Sequence, residues 1–200
     1  MSVRAIKRRL FLSGLSGASL AAGGLLRNSA HAATEDDIPT FGHGMKMQDT
    51  PKDVPLTPFL DATGKETTLA AWHGKPYLLH LWATWCGPCI RELPEVNTTI
   101  RRLGREAPAI VAINTTGGDI ARTGAFLQSH GATSLPVLAD PDGVLLKALG
   151  PLPGMGEGKK GIPRTYIVDG EGHIRAWSVG MMRWAPADVM SRFDAIVSGR

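Results

Sequence analysis

Hydrophobic residues are spread unevenly along this 200-residue chain, and their period changes several times. Tyr77 to Trp82 is an almost wholly apolar run, the pattern of a central strand covered on both faces. Ala109–Asn114 and Leu135–Ala139 read as further strands. Arg164–Asp169 and His173–Val179 flank Gly170-Glu171-Gly172 as a hairpin. Elsewhere the spacing is helical. Ile90, Leu93, Val96, Ile100 and Leu103 form one apolar stripe, predicting a helix after Cys86 with a bend at Pro94. Asp119 can cap a helix reaching His130, Val144–Leu149 makes a short one, and Pro186–Val197 a closing one. Upstream, Pro58-Phe59-Leu60 and Glu66–Leu69 flank the turn signal Asp61-Ala62-Thr63-Gly64 and predict a short hairpin. Strands alternating with helices imply an α/β sandwich.

The first 32 residues carry a different message. Lys7-Arg8-Arg9-Leu10-Phe11-Leu12-Ser13, a weakly apolar run to Leu26 and Ala30-His31-Ala32 together resemble a twin-arginine export signal with its cleavage site. The apolar run is shorter than the roughly 20 residues a membrane span needs, so we expect cleavage and no span in the mature protein. Residues 33–54 show neither hydrophobic period and read as a flexible lead-in, leaving 55–200 as the folded domain. The whole chain has 22 basic and 18 acidic residues, but Arg4, Lys7, Arg8, Arg9 and Arg27 all lie in the signal. The mature chain is therefore near neutrality, which gives no reason to expect nucleic acid or an acidic membrane as a partner.

Against that background the chemistry concentrates in Trp82-Ala83-Thr84-Trp85-Cys86-Gly87-Pro88-Cys89, which holds both cysteines of the chain. A disulfide closing so small a ring constrains the unfolded chain little, so its use is chemical rather than structural. If Cys86 starts the helix, its sulfur faces unpaired backbone N–H groups, which favour thiolate and make it the attacking sulfur. Cys89, one turn further in, can then resolve a mixed disulfide. Pro88 fits the first turn, where its missing N–H costs nothing. Half of a zinc site and two inert core thiols are the competing readings, but no second CxxC or HxxxH supplies the other ligands of a zinc site.

These residues, with Gly74-Lys75-Pro76, Arg91-Glu92-Leu93-Pro94 and Gly161-Ile162-Pro163-Arg164-Thr165-Tyr166-Ile167-Val168-Asp169-Gly170, resemble the TlpA-like branch of the thioredoxin-fold thiol:disulfide oxidoreductases, which includes ResA- and CcmG-type proteins. The resemblance implies a thioredoxin fold, a central mixed sheet flanked by helices, with an N-terminal hairpin and the central insertion of that branch. It implies a periplasmic enzyme that reduces disulfides in client proteins. Expected clients are apocytochrome c or the copper-site cysteines of a respiratory oxidase, with a membrane thiol reductant of the DsbD type to recharge it. No cofactor beyond the Cys86–Cys89 pair is required. Pro163 matches the family's cis-proline, and Ile162 would present its backbone to a substrate beside Trp85, Gly87 and Pro88. Glu92 matches an acidic position near the disulfide; it either tunes or relays a proton for a thiol, or is a solvated charge on the helix face.

Two features depart from that pattern. His80 stands where thioredoxins typically have Asp and this branch often has Asn; it is either hydrogen-bonded core or a proton relay to Cys89. His43, Met45 and Met47 alternate imidazole and thioether donors suited to Cu(I), which keeps a copper carrier open as the alternative function. The Gly/Pro-rich loop from Gly150 to Gly161, with Lys159 and Lys160, lacks GxxxxGK[ST] and is no phosphate loop.

Overall fold

The computed structural model describes residues 38–104, 107–153 and 161–199. The export signal expected at 1–32, and Lys159 and Lys160 of the Gly/Pro-rich loop, lie outside the described residues.

The strands are β1 (Lys46–Asp53), β2 (Phe59–Leu60), β3 (Glu66–Thr67), β4 (Tyr77–Trp82), β5 (Ala109–Thr115), β6 (Ala139–Asp140), β7 (Arg164–Val168) and β8 (His173–Val179). The helices are α1 (Gly87–Leu103), α2 (Ile120–Ser129), α3 (Val144–Leu149) and α4 (Pro186–Val197). All the strands join one mixed sheet in the order β1-β8-β7-β4-β5-β6-β2-β3. β4 lies inside it, parallel to β5 and antiparallel to β7, and every one of its residues is buried. Because side chains alternate along a strand, Leu78 and Trp82 join the core beneath α1, α2 and α4, while Leu79 and Leu81 join the opposite core with Leu145 and Leu149 of α3. That register puts His80 on the α1 side.

Three differences from the pattern-based reading have physical causes. The expected lead-in is part of the fold from Ile38 onward. Phe41 is fully buried, and β1 pairs antiparallel with β8, Lys46 opposite Trp177 and Asp53 opposite His173. As an edge strand it is solvated almost throughout and carries no apolar alternation; its register shifts between Met47 and Lys52, around Pro51, which has no N–H to give. The strand expected at Leu135–Ala139 shrinks to Ala139–Asp140, with Pro136 in the stretch that does not join the ladder. In α1, which contains Pro94, the buried face is Cys89, Glu92, Leu93, Val96, Asn97 and Thr99, with Ile90, Ile100 and Leu103 only half-buried. The apolar stripe therefore misses the polar members of the buried face.

The β7–β8 hairpin positions Pro163 at the entrance of β7, and Asp169 holds its turn. One carboxylate oxygen accepts from the backbone N–H groups of Glu171 and His173 at 3.0 and 2.9 Å, the other from Arg175 at 3.4 Å. Burial pushes this carboxyl up, but the donors outweigh burial and hold it below the ordinary 3.8. A group whose folded value is depressed contributes stability above its unfolded value and loses it as the pH falls through the folded one. Asp169→Asn should therefore be less stable than the wild type at neutral pH, with the difference in urea midpoint closing below about pH 4.

Candidate active site

Cys86 and Cys89 form a disulfide at the start of α1. Ala83 O accepts from Cys86 N at 3.1 Å, closing the turn that leads from β4 into the helix. Cys86 is the N-cap, and its sulfur accepts from the Cys89 backbone N–H at 3.3 Å. That donor and the helix N-terminus stabilise a thiolate at Cys86 once the bond is reduced. Cys86 retains 5% exposure while Cys89 has none, so a partner meets Cys86 first. Gly87 and Pro88 are exposed, and Pro88 lies in the first turn, as expected.

The chain returns to this point 76 residues later. The Ile162–Pro163 peptide is cis, and the Ile162 carbonyl oxygen lies 3.7 Å from the Cys86 sulfur. Pro163 O accepts from Gly180 N at 2.8 Å, tying the β7 entrance to the end of β8. Buried Arg164 donates to Gly150 O at 2.8 Å and to Gly161 O at 3.0 Å, clasping both ends of the Gly/Pro-rich loop. On the other side, Trp85 is 51% exposed with its indole N–H on Thr116 O at 3.0 Å. Thr116 has φ 57°, a left-handed conformation uncommon for a residue with a Cβ. Gly117 follows it because a Cβ there would come within 2.1 Å of Asn114 Oδ1. Trp82 is buried packing.

Glu92 is not a solvated charge. It is 2% exposed, and one carboxylate oxygen accepts from Met182 N and Trp184 Nε1, both at 3.3 Å. The other lies 3.3 Å from His80 Nε2, off the angle of a hydrogen bond. His80 is fully buried, with Nδ1 3.0 Å from Thr165 Oγ1 and its ring edge-on to Trp184. His80 is hydrogen-bonded core, and it faces a carboxylate one helical turn from Cys89. Trp184 is gripped along one face of α1, with its backbone N–H on Glu95 at 2.8 Å and its carbonyl accepting from Thr99 Oγ1.

The possible copper donors stand elsewhere. His43 Nε2 accepts from Arg192 at 2.7 Å, Met45 packs against the core, and Met47 is 54% exposed on β1. Among the described residues no cluster of three His, Cys, Asp or Glu side chains is placed to hold a metal. Residues that the pattern reading missed include Arg164, Thr165, Met182 and Trp184. An arginine and a threonine opening an otherwise apolar strand were a legible signal for the first two; nothing local marks the others.

A model of the AhpC/TSA family matches residues 47–177. The chain is 30% identical to the thiol-disulfide oxidoreductase ResA of Geobacillus thermodenitrificans (strain NG80-2) over 136 residues, 68% of this chain and 71% of that one. It is also 30% identical to the thiol-disulfide oxidoreductase ResA of Bacillus subtilis (strain 168), over 65% of this chain and 67% of that one. With ResA of Bacillus thuringiensis subsp. konkukian (strain 97-27) it is 28% identical, over 62% of this chain and 65% of that one, just under two thirds of the relative's length. Among solved structures, a DsbF homologue from Corynebacterium diphtheriae superposes with a TM-score of 0.58 at 21% identity, covering 78% of this chain and 94% of that one. A secreted thiol-disulfide isomerase from Corynebacterium glutamicum gives 0.59 at 19% identity, covering 79% and 94%. The fold is the expected thioredoxin-like one, a mixed sheet flanked by helices.

Replacing Glu92 by Ala would strand two buried N–H donors and the facing imidazole. Chemical denaturation of the oxidised protein should show a loss of about 3 kcal/mol. In the reduced protein, iodoacetamide should modify Cys86 well before Cys89, read by mass spectrometry of the digested protein.

Proposed function

The chain belongs to the AhpC/TSA family, and on that premise we propose that it is a thiol:disulfide oxidoreductase that reduces disulfides in client proteins of the periplasm. The observation that carries this reading is the placement of Cys86: a capping sulfur at a helix N-terminus, beside the Ile162 carbonyl and cis-Pro163, with Cys89 buried behind it. The cycle starts with the Cys86 thiolate attacking one sulfur of a client disulfide, which releases the other as a thiolate. Cys89 then gives up its proton and attacks the mixed disulfide. The client leaves with two thiols, one proton coming from Cys89 and one from solvent, and the protein keeps the disulfide; two electrons have moved to the client. The sulfur pair is the carrier, so the cycle needs no cofactor.

The direction of electron flow rests on the dipeptide between the cysteines. Gly87-Pro88 matches thioredoxin, a reductant at about −270 mV, rather than a strong oxidant near −120 mV. An oxidising compartment drains a reductant, so the cycle calls for a membrane thiol donor of the DsbD type. The resemblance of residues 1–32 to an export signal supports that compartment; among the described residues no helix is long and apolar enough to cross a membrane. Apocytochrome c, or the copper-site cysteines of a respiratory oxidase, are the clients that the family resemblance favours.

In an insulin-reduction assay driven by dithiothreitol, Cys86→Ser should abolish the protein's contribution, and Cys89→Ser should accumulate a client mixed disulfide on Cys86. Equilibration in graded redox buffers should give a midpoint potential more negative than about −220 mV; a value between about −180 and −120 mV would reverse the proposed direction.

A further inference from the structure

A groove of about 530 Å3 opens beside the disulfide, and one of its walls comes from the segment that the hydrophobic pattern had left outside the domain. Pro39 O accepts from Arg183 N at 2.9 Å, and Phe41 N donates to Arg183 O at 3.0 Å, a parallel bridge centred on Thr40. Phe41 anchors this strap by packing its ring 5.3 Å from that of Trp184, the residue held by Glu92, Glu95 and Thr99. The strap contributes Ile38 and Pro39 to the groove; Ile162, Pro163, Met181 and Met182 face them. These walls are apolar and continue from the Ile162 carbonyl beside Cys86.

The charges around the groove are unequally available. Glu92 is buried and committed to Met182 N and Trp184 Nε1, and Glu95 is committed to the Trp184 backbone N–H. The two arginines of the lining, Arg91 and Arg183, are exposed, and among the described residues neither makes an ion pair; Arg91 touches only the Met181 sulfur, at 3.4 Å. Glu92 is turned inward, and Glu95, though exposed, has one oxygen on a backbone N–H, so two arginines face a single partly engaged carboxylate at the mouth of the groove.

We propose that the 38–41 strap and the 180–184 loop form the client-docking groove of the disulfide, and that its occupant is an extended client segment with an apolar residue beside the reacting cysteine and a carboxylate within reach of Arg91 and Arg183. This rests on the oxidoreductase reading above and narrows it to a class of client. The apolar residue removes the Ile38 and Met181 surfaces from water, and the carboxylate meets two cations that make no ion pair among the described residues.

The test uses the pre-reduced protein and two symmetric peptide disulfides, each with leucine before the cysteine and either glutamate or lysine two residues after it. Hydroxyethyl disulfide is the small neutral reference. Oxidation of the protein is followed by the tryptophan fluorescence change, Trp85 being next to Cys86. The glutamate peptide should react about tenfold faster than the lysine peptide at low ionic strength, and the ratio should fall toward one in about 0.5 M salt. Arg183→Glu and Arg91→Glu should each shrink or invert the ratio. Ile38→Ser should lower the rate with the leucine peptides relative to hydroxyethyl disulfide by roughly threefold. Equal rates for the two peptides, unchanged by all three substitutions, would overturn the docking assignment alone, as would sedimentation showing a dimer closed over this groove. No oxidation by hydroxyethyl disulfide would instead remove the oxidoreductase reading and this inference with it.

Discussion

A carboxylate taken out of water has to be met by donors, and Glu92 organises the region around the disulfide by that requirement. Its donors come from Met182 and Trp184, in the loop after β8, and it faces His80 on β4. Glu92 sits on the helix that begins with Cys86, so satisfying it fixes that helix against both the central strand and the loop beside Pro163. Glu95 and Thr99 extend the same grip along α1, and Trp184 passes it on to Phe41. The redox pair is thereby held in a rigid frame while its own first turn stays exposed.

The topology explains why two distant parts of the chain share one site. β4 delivers the chain to the N-terminus of α1, and β7 runs antiparallel beside β4, so the entrance of β7 lies at the end where β4 stops. Leu81 pairs with Arg164 at that end, which places Ile162 and Pro163 against Cys86. A helix N-terminus and a strand entrance meet there, each with backbone groups its own element cannot use. Such a place suits a sulfur that must be charged, approachable and in register with an incoming extended chain.

Much of this was legible in the order of residues. The six-residue run of β4 is buried on both faces, and a fully buried strand has to be apolar throughout. Asp119 caps α2 through a 2.9 Å bond to Arg122 N, the interaction its position before that helix predicted. Edge pairing leaves no such trace: β1 is stabilised by backbone bonds to β8, and solvated side chains carry no period. Nor did the apolar stripe of α1 reveal its whole buried face, because Glu92, Asn97 and Thr99 are buried by virtue of partners on other elements.

By itself the sequence determined the redox pair, its spacing and the strand before it, since these depend on residue types and local periods; that Pro163 would stand beside the pair came from the family resemblance. Only the tertiary structure decided that Glu92 is buried and faces His80, that Arg164 clasps the loop ends, and that the 38–41 segment walls the groove. Those outcomes depend on which donors meet which acceptors, for the most part between stretches far apart along the chain, a matter of three-dimensional proximity that no local pattern encodes.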